Sequence, residues 1–225
     1  MSAELGVLWW WIAFGGSHTL LSHPPVRARL VARFGERPFL GLYSLVAFAT
    51  FVPLVWTFFA NRIGRGTPLP MLAQIPGLRW LTMALMLVAV TFLVLGFSRP
   101  NPISPLTGRS SGAIGVLRVT RHPAFMGLAI FGFAHLLVNH TALDHVFFGG
   151  TLAYSLLGAA HQDWRKRRIA DRDLERYFAE TSFFPFVAIA TGRNRFEPRE
   201  LGTGALAAAL VLYALLFTFH HRLFT

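Results

Sequence analysis

Two histidines, His18 and His135, sit inside the apolar runs WWWIAFGGSHTLL and LAIFGFAHLLV. An ionisable ring surrounded by hydrocarbon is costly unless it is hydrogen-bonded or coordinated, so both residues are candidates for function. Neutral imidazole is also a strong iron ligand, and two imidazoles on different helices could grip a haem from opposite faces. His18 follows Gly15 and Gly16 and lies between Ser17 and Thr19, a surface suited to close helix approach. His135 has Gly132 three residues before it and Asn139 four residues after it, which puts all three on one helix face.

The other histidines carry weaker signals. His122 stands in Arg121-His122-Pro123, where the proline suits a first helical turn. It lies 13 residues before His135, or ~20 Å of helical rise, so those two cannot share one metal. His140, Asp144 and His145 cluster at an expected turn, where polar residues are ordinary. His23, His161, His220 and His221 fall at the ends of apolar segments, and interfacial placement accounts for them. His122 and His23 are the fallback ligands if one of the first two fails.

The elements that must position these side chains follow from composition. Of 225 residues 54% are hydrophobic and 14% charged, with 22 Phe and 6 Trp, which is too apolar for an ordinary soluble domain. The absence of cysteine excludes disulfides, Zn–thiolate and Fe–S sites and haem attached through C-x-x-C-H. Six apolar segments, 5–21, 39–60, 78–97, 123–139, 145–161 and 203–220, are judged against the ~20 residues that a helix needs to cross hydrocarbon. The expected fold is an all-α integral membrane protein: one domain, 1–225, of about six transmembrane helices, with the fourth and fifth spans paired in a tight hairpin.

The net charge of +11 is distributed unevenly. The loops after the first, third and fifth segments hold four, four and nine basic residues, 17 of the 21 Lys and Arg, leaving Arg62, Arg65, Arg79 and Arg222 elsewhere. That asymmetry places these loops in the cytoplasm and both termini outside, in a bacterial cytoplasmic membrane. It also explains the positive charge by topology and anionic lipid, without nucleic acid. Within the loops, 22–38 suits a short interfacial helix introduced by Pro24 and Pro25, and the prolines and glycines of 98–121 forbid a regular helix. Residues 162–182 suit a solvated helix of mixed charge, and Phe183–Ala190 is apolar but too short to span.

Soluble-enzyme signatures are missing. There is no phosphate-cradling glycine loop, no Gly-x-Ser-x-Gly turn, no His-Glu-x-x-His and no carboxylate pair within an apolar segment.

Taken in order, His18-Thr19-Leu20-Leu21, Gly35-Glu36-Arg37, Arg118 to Pro123, Ala134-His135, Arg167-Arg168, Tyr177, Thr181 to Phe186 and Gly192-Arg193 resemble the NnrU family and, within it, the 15-cis-ζ-carotene isomerases. The resemblance implies a membrane protein binding haem b, with His18 and His135 as its iron ligands and catalytic centre. It also implies cis–trans isomerisation of a lipophilic polyene, with membrane lipid as the surrounding partner. Gly132 stands where the isomerases carry a cysteine, and Arg62 falls near another of their histidines, so the ligand switch associated with that cysteine has no counterpart here. Other NnrU proteins are associated with bacterial denitrification, which makes a haem or nitric oxide accessory protein an alternative. Arg121-His122-Pro123 with Gly127 also resembles isoprenylcysteine and phospholipid methyltransferases. That second resemblance would put Arg121 and His122 at an S-adenosylmethionine site.

Overall fold

The computed structural model describes residues 2–63, 66–69, 74–104 and 112–224, and these form an all-helical assembly. In chain order the helices are α1 (Ala3–Ser22), α2 (Pro24–Phe34), α3 (Glu36–Asn61), α4 (Leu78–Ser98), α5 (Val116–Val119), α6 (Pro123–Val138), α7 (Ala142–Arg167), α8 (Arg172–Glu180), α9 (Val187–Ala190) and α10 (Thr203–Phe224). Each of the six apolar segments is a helix. Three helices, Glu36–Asn61, Leu78–Ser98 and Thr203–His220, are long and apolar enough to cross a membrane. α6 is apolar but only 16 residues long, ~24 Å of rise against a hydrocarbon core of ~30 Å.

Local chemistry sets the boundaries. Ser2 caps α1 by accepting from the Leu5 amide, and Pro24 and Pro25 open α2 where their missing N–H groups cost nothing. Gly35, at φ 87°, supplies the left-handed residue that separates α2 from α3. Thr141 caps α7 by accepting from the Asp144 amide, and Asp171 caps α8 by accepting from that of Leu174.

α6 lies between α4 and α7 and touches both through glycines. A Cβ at Gly127 would stand 2.8 Å from the Ala89 carbonyl oxygen on α4, and one at Gly132 would stand 2.7 Å from the Phe148 carbonyl oxygen on α7. α1 packs on α3 and α7, and α10 covers α4. The apolar core at one end joins Val7, Leu54, Phe58, Leu143 and Phe148; at the other end, Phe92, Leu95, Val116, Val119 and Met126 close it.

The basic connections gather at one end of the bundle. Arg165 reaches the Ser22 carbonyl, Arg118 pairs with Glu200, and Arg99 donates to the Glu200 carbonyl. At the opposite end, the segment after α3 covers the α6–α7 turn, with Ala142 N donating to Thr67 O at 2.8 Å. Arg65 and Arg109, both included in the charge reading, lie outside the described residues.

Residues 162–182 do not form one solvated helix. α7 continues through Arg167, the chain then turns, and α8 follows; Asp163, Tyr177 and Phe178 are buried. The cause is visible in the spacing. Ser155, Ala159 and Asp163 recur every four residues and all face inward, so the buried stripe of α7 extends into the charged stretch.

Candidate functional site

His18 lies in a cluster of aromatic rings where α1, α3 and α7 meet. Its ring centroid is 4.6 Å from Phe14, 4.7 Å from Tyr43 and 6.1 Å from Tyr154. The Tyr154 ring lies against Gly15, where a Cβ would stand in ordinary contact with it at 3.4 Å. Phe51 of α3 stands 5.2 Å from Phe14 and is 42% exposed, so the ring cluster extends to the surface of the bundle.

His135 occupies a different place. Its ring lies 4.3 Å from both Phe131 and Phe148, nearly parallel to the latter, and 6.2 Å from His220 on α10. Nδ1 sits 2.9 Å from the Phe131 carbonyl oxygen, to which it donates, leaving the Nε2 lone pair as the acceptor.

The two histidines share no ring neighbour. Their contacts on α7, Phe148 and Tyr154, are six residues apart, ~9 Å of rise and about 240° of rotation, so the imidazoles stand at different levels and against different faces of that helix. Two axial nitrogens on one iron must be only ~4 Å apart. The arrangement therefore does not fit one haem iron held by both His18 and His135. The fallback residues are also engaged elsewhere: His23 stacks on Trp164 at 5.1 Å, and His122 is turned onto Asp163. At the α6–α7 turn, Asp144 accepts from the Thr141 hydroxyl, while His145 Nδ1 donates to the Thr141 carbonyl; both contacts close the helix start.

The most concentrated polar chemistry lies at the basic end. Asp163 accepts from Arg121 Nε at 2.8 Å and Nη2 at 2.5 Å, and its other oxygen is 2.6 Å from His122 Nε2. Arg121 Nη1 donates onward to the Thr181 carbonyl, and Asn101 donates to the Arg121 carbonyl. Burial tends to raise the Asp163 carboxyl, but the bonds from His122 and Arg121 outweigh it and hold the group below the usual carboxylate range. Burial pushes the His122 imidazole below its ordinary value, against the opposing pull of the Asp163 bond. His122 is 2% exposed. The Arg121–Asp163–His122 group ties the start of α6 to the end of α7 and to the segment before α9. Its position is that of a structural clamp.

Two cavities open at this same end. One, of about 510 Å³, is bounded by Arg118, Arg176, Tyr177 and Asn194 among others; the second, of about 280 Å³, is bounded by Arg121, Arg167 and Arg193 with Phe178 and Phe184. Sequence reasoning missed Asp163, Tyr43 and Tyr154. Asp163 was detectable from the four-residue spacing that links it to Ser155 and Ala159, whereas the tyrosines become neighbours of His18 only through the packing of three helices.

Among the described residues the fold is helical, with three helices long and apolar enough to cross a bilayer, which defines an integral membrane protein. The chain belongs to the NnrU family, whose model, described as NnrU protein, matches residues 7–225. Over 81 residues, 36% of this chain, it is 35% identical to the protein named 15-cis-zeta-carotene isomerase, chloroplastic, of Arabidopsis thaliana. The match spans 22% of the plant protein's length. No solved structure matches the chain.

Proposed function

We propose that this chain is a membrane-embedded isomerase that rotates one double bond of a lipophilic polyene from cis to trans, at the His18 ring cluster. The observation that carries the reading is an imidazole packed among the rings of Phe14, Tyr43 and Tyr154, with the partly exposed Phe51 beside Phe14. Family membership and the partial match to a carotene isomerase support the same reaction class. Substrate and product of such a reaction have the same formula, so the site needs no leaving group and no water. It must take a long hydrocarbon from the bilayer, hold it flat and bring a polar group to the bond that turns. Aromatic faces suit a conjugated chain, and the His18 imidazole, set beside Tyr43 and Tyr154, is the ionisable ring among them.

The six apolar helices, as a single domain over 1–225, cross the bacterial cytoplasmic membrane in this reading, with α6 and α7 as the tight hairpin. The end that collects the basic connections faces the cytoplasm, and both termini face outward. Arg121 and His122 are buried against Asp163, which favours isomerisation over methyl transfer at those residues. The test is to incubate the purified protein, reconstituted in liposomes, with 15-cis-ζ-carotene and to separate the isomers chromatographically. Protein-dependent conversion to the trans form at the central bond is expected; an isomer ratio equal to that of empty liposomes would overturn the reading.

A further inference from the structure

We infer that the smaller cavity at the basic end is a site for the phosphate headgroup of an anionic lipid. The cavity, of about 280 Å³, has Arg121, Arg167 and Arg193 in its wall and no carboxylate among its lining residues. Arg121 is matched by Asp163, but neither Arg167 nor Arg193 has a carboxylate partner among the described residues, so the wall carries two uncompensated positive charges. All three guanidiniums are held in place. The centre of the Phe178 ring lies 5.2 Å from the guanidinium carbon of Arg121 and 4.1 Å from that of Arg167. Arg193 Nη1 donates to the Ala179 and Thr181 carbonyls, both at 3.0 Å. Guanidiniums fixed in this way lose little freedom when they take a phosphate, which accepts their paired N–H groups.

The surroundings select a lipid over a free anion. Phe184 and Val187, at the same cavity, are exposed, as is Phe186 between them. Phe183 and Ile189 pack on the cluster formed by Phe92 and Leu95 near the end of α4, so the cavity sits at the level where a spanning helix leaves hydrocarbon. Aromatic and arginine side chains side by side at that level match an amphiphile whose phosphate enters the cavity and whose chains run beside Phe184 and Val187.

The experiment is native mass spectrometry of the detergent-purified full chain with three probes: dioctanoyl phosphatidic acid, dioctanoyl phosphatidylcholine and inorganic phosphate. One phosphatidic acid is expected to bind wild type, with at least about ten-fold weaker binding in R167Q/R193Q, the effect of losing charge-assisted bonds. R29Q/R33Q, which removes equal charge from α2, is expected to bind as wild type. Because Arg193 also supports the α8–α9 segment, R167Q alone is the second variant, and the exposed Arg167 can be removed without breaking a backbone contact; its binding is expected to weaken as well. Unchanged phosphatidic acid binding in R167Q, or equal weakening in R29Q/R33Q, would overturn the site. Inorganic phosphate binding as tightly as phosphatidic acid would overturn its assignment to lipid, and so would equal binding of phosphatidylcholine.

Discussion

His122 Nε2 lies 2.6 Å from an Asp163 oxygen across 41 residues of sequence, and the same carboxylate receives the Arg121 guanidinium. One carboxylate thus joins the residues that lead into α6 to the last turns of α7. Removing one member of a buried ion pair leaves the others desolvated and unmatched, which costs about 3–5 kcal/mol. Asp163→Ala is expected to destabilise by an amount of that order, and Asp163→Asn by less, since the amide still accepts a hydrogen bond. Thermal unfolding in detergent measures both; a wild-type midpoint for Asp163→Ala would show that the clamp does not hold this end together.

The α6–α7 contact depends on Gly132, where an added Cβ would meet the Phe148 carbonyl oxygen at 2.7 Å and the Leu152 amide nitrogen at 2.9 Å. Backbone atoms cannot swing aside as side chains do. Gly132→Ala is therefore expected to push the helices apart and lower stability by about 1–3 kcal/mol. Gly149→Ala, where nothing lies within 4 Å, serves as the control and is expected to be near neutral. Equal unfolding midpoints for the two variants would contradict the close approach.

Glu200 accepts from Arg118 Nε at 2.7 Å and Nη2 at 2.9 Å and from the Gly115 amide, and its carboxyl is held down to about 2 from an ordinary 4.5, chiefly by the Arg118 bond. A carboxyl whose folded value lies below its unfolded one stabilises fully above the unfolded value and loses that contribution as pH falls toward the folded value. The effect belongs to the interval from about 4.5 down to about 2. Between these limits the stability of Glu200→Gln is expected to fall less steeply than that of wild type in acid unfolding curves, and parallel curves would contradict the pairing.

An iron held by two imidazoles gives a six-coordinate low-spin spectrum with sharp reduced bands. Since His18 and His135 stand against different faces of α7, they are not expected to share an iron, and neither His18→Ala nor His135→Ala is expected to remove such bands in concert with the other. Their presence, together with their loss in both His18→Ala and His135→Ala, would show that the helices rearrange to bring the two rings together.

Much of the fold was legible in the sequence because apolar length and proline position are local properties. Pro24 and Pro123 each open a helix where expected, and the six apolar segments each became one. The candidate site was less legible. The residue types at His18 and His135 marked them as unusual, but their separation depends on how α1 and α6 register against α7, which no local spacing encodes. Asp163 looked solvated because its sequence neighbours are charged. Its burial follows from a helical face that continues past the apolar run.

The isomerase reading places the reacting bond at His18 alone, so the most direct measurement compares turnover of a 15-cis polyene in liposomes by wild type, His18→Ala and His135→Ala. Loss of a positioned polar group at the reacting centre is expected to slow His18→Ala by about 100-fold or more. His135→Ala is expected to stay within a few-fold of wild type once differences in folded protein are normalised. Equal loss of turnover in the two variants, or wild-type turnover in His18→Ala, would contradict the placement of the chemistry at the His18 ring cluster.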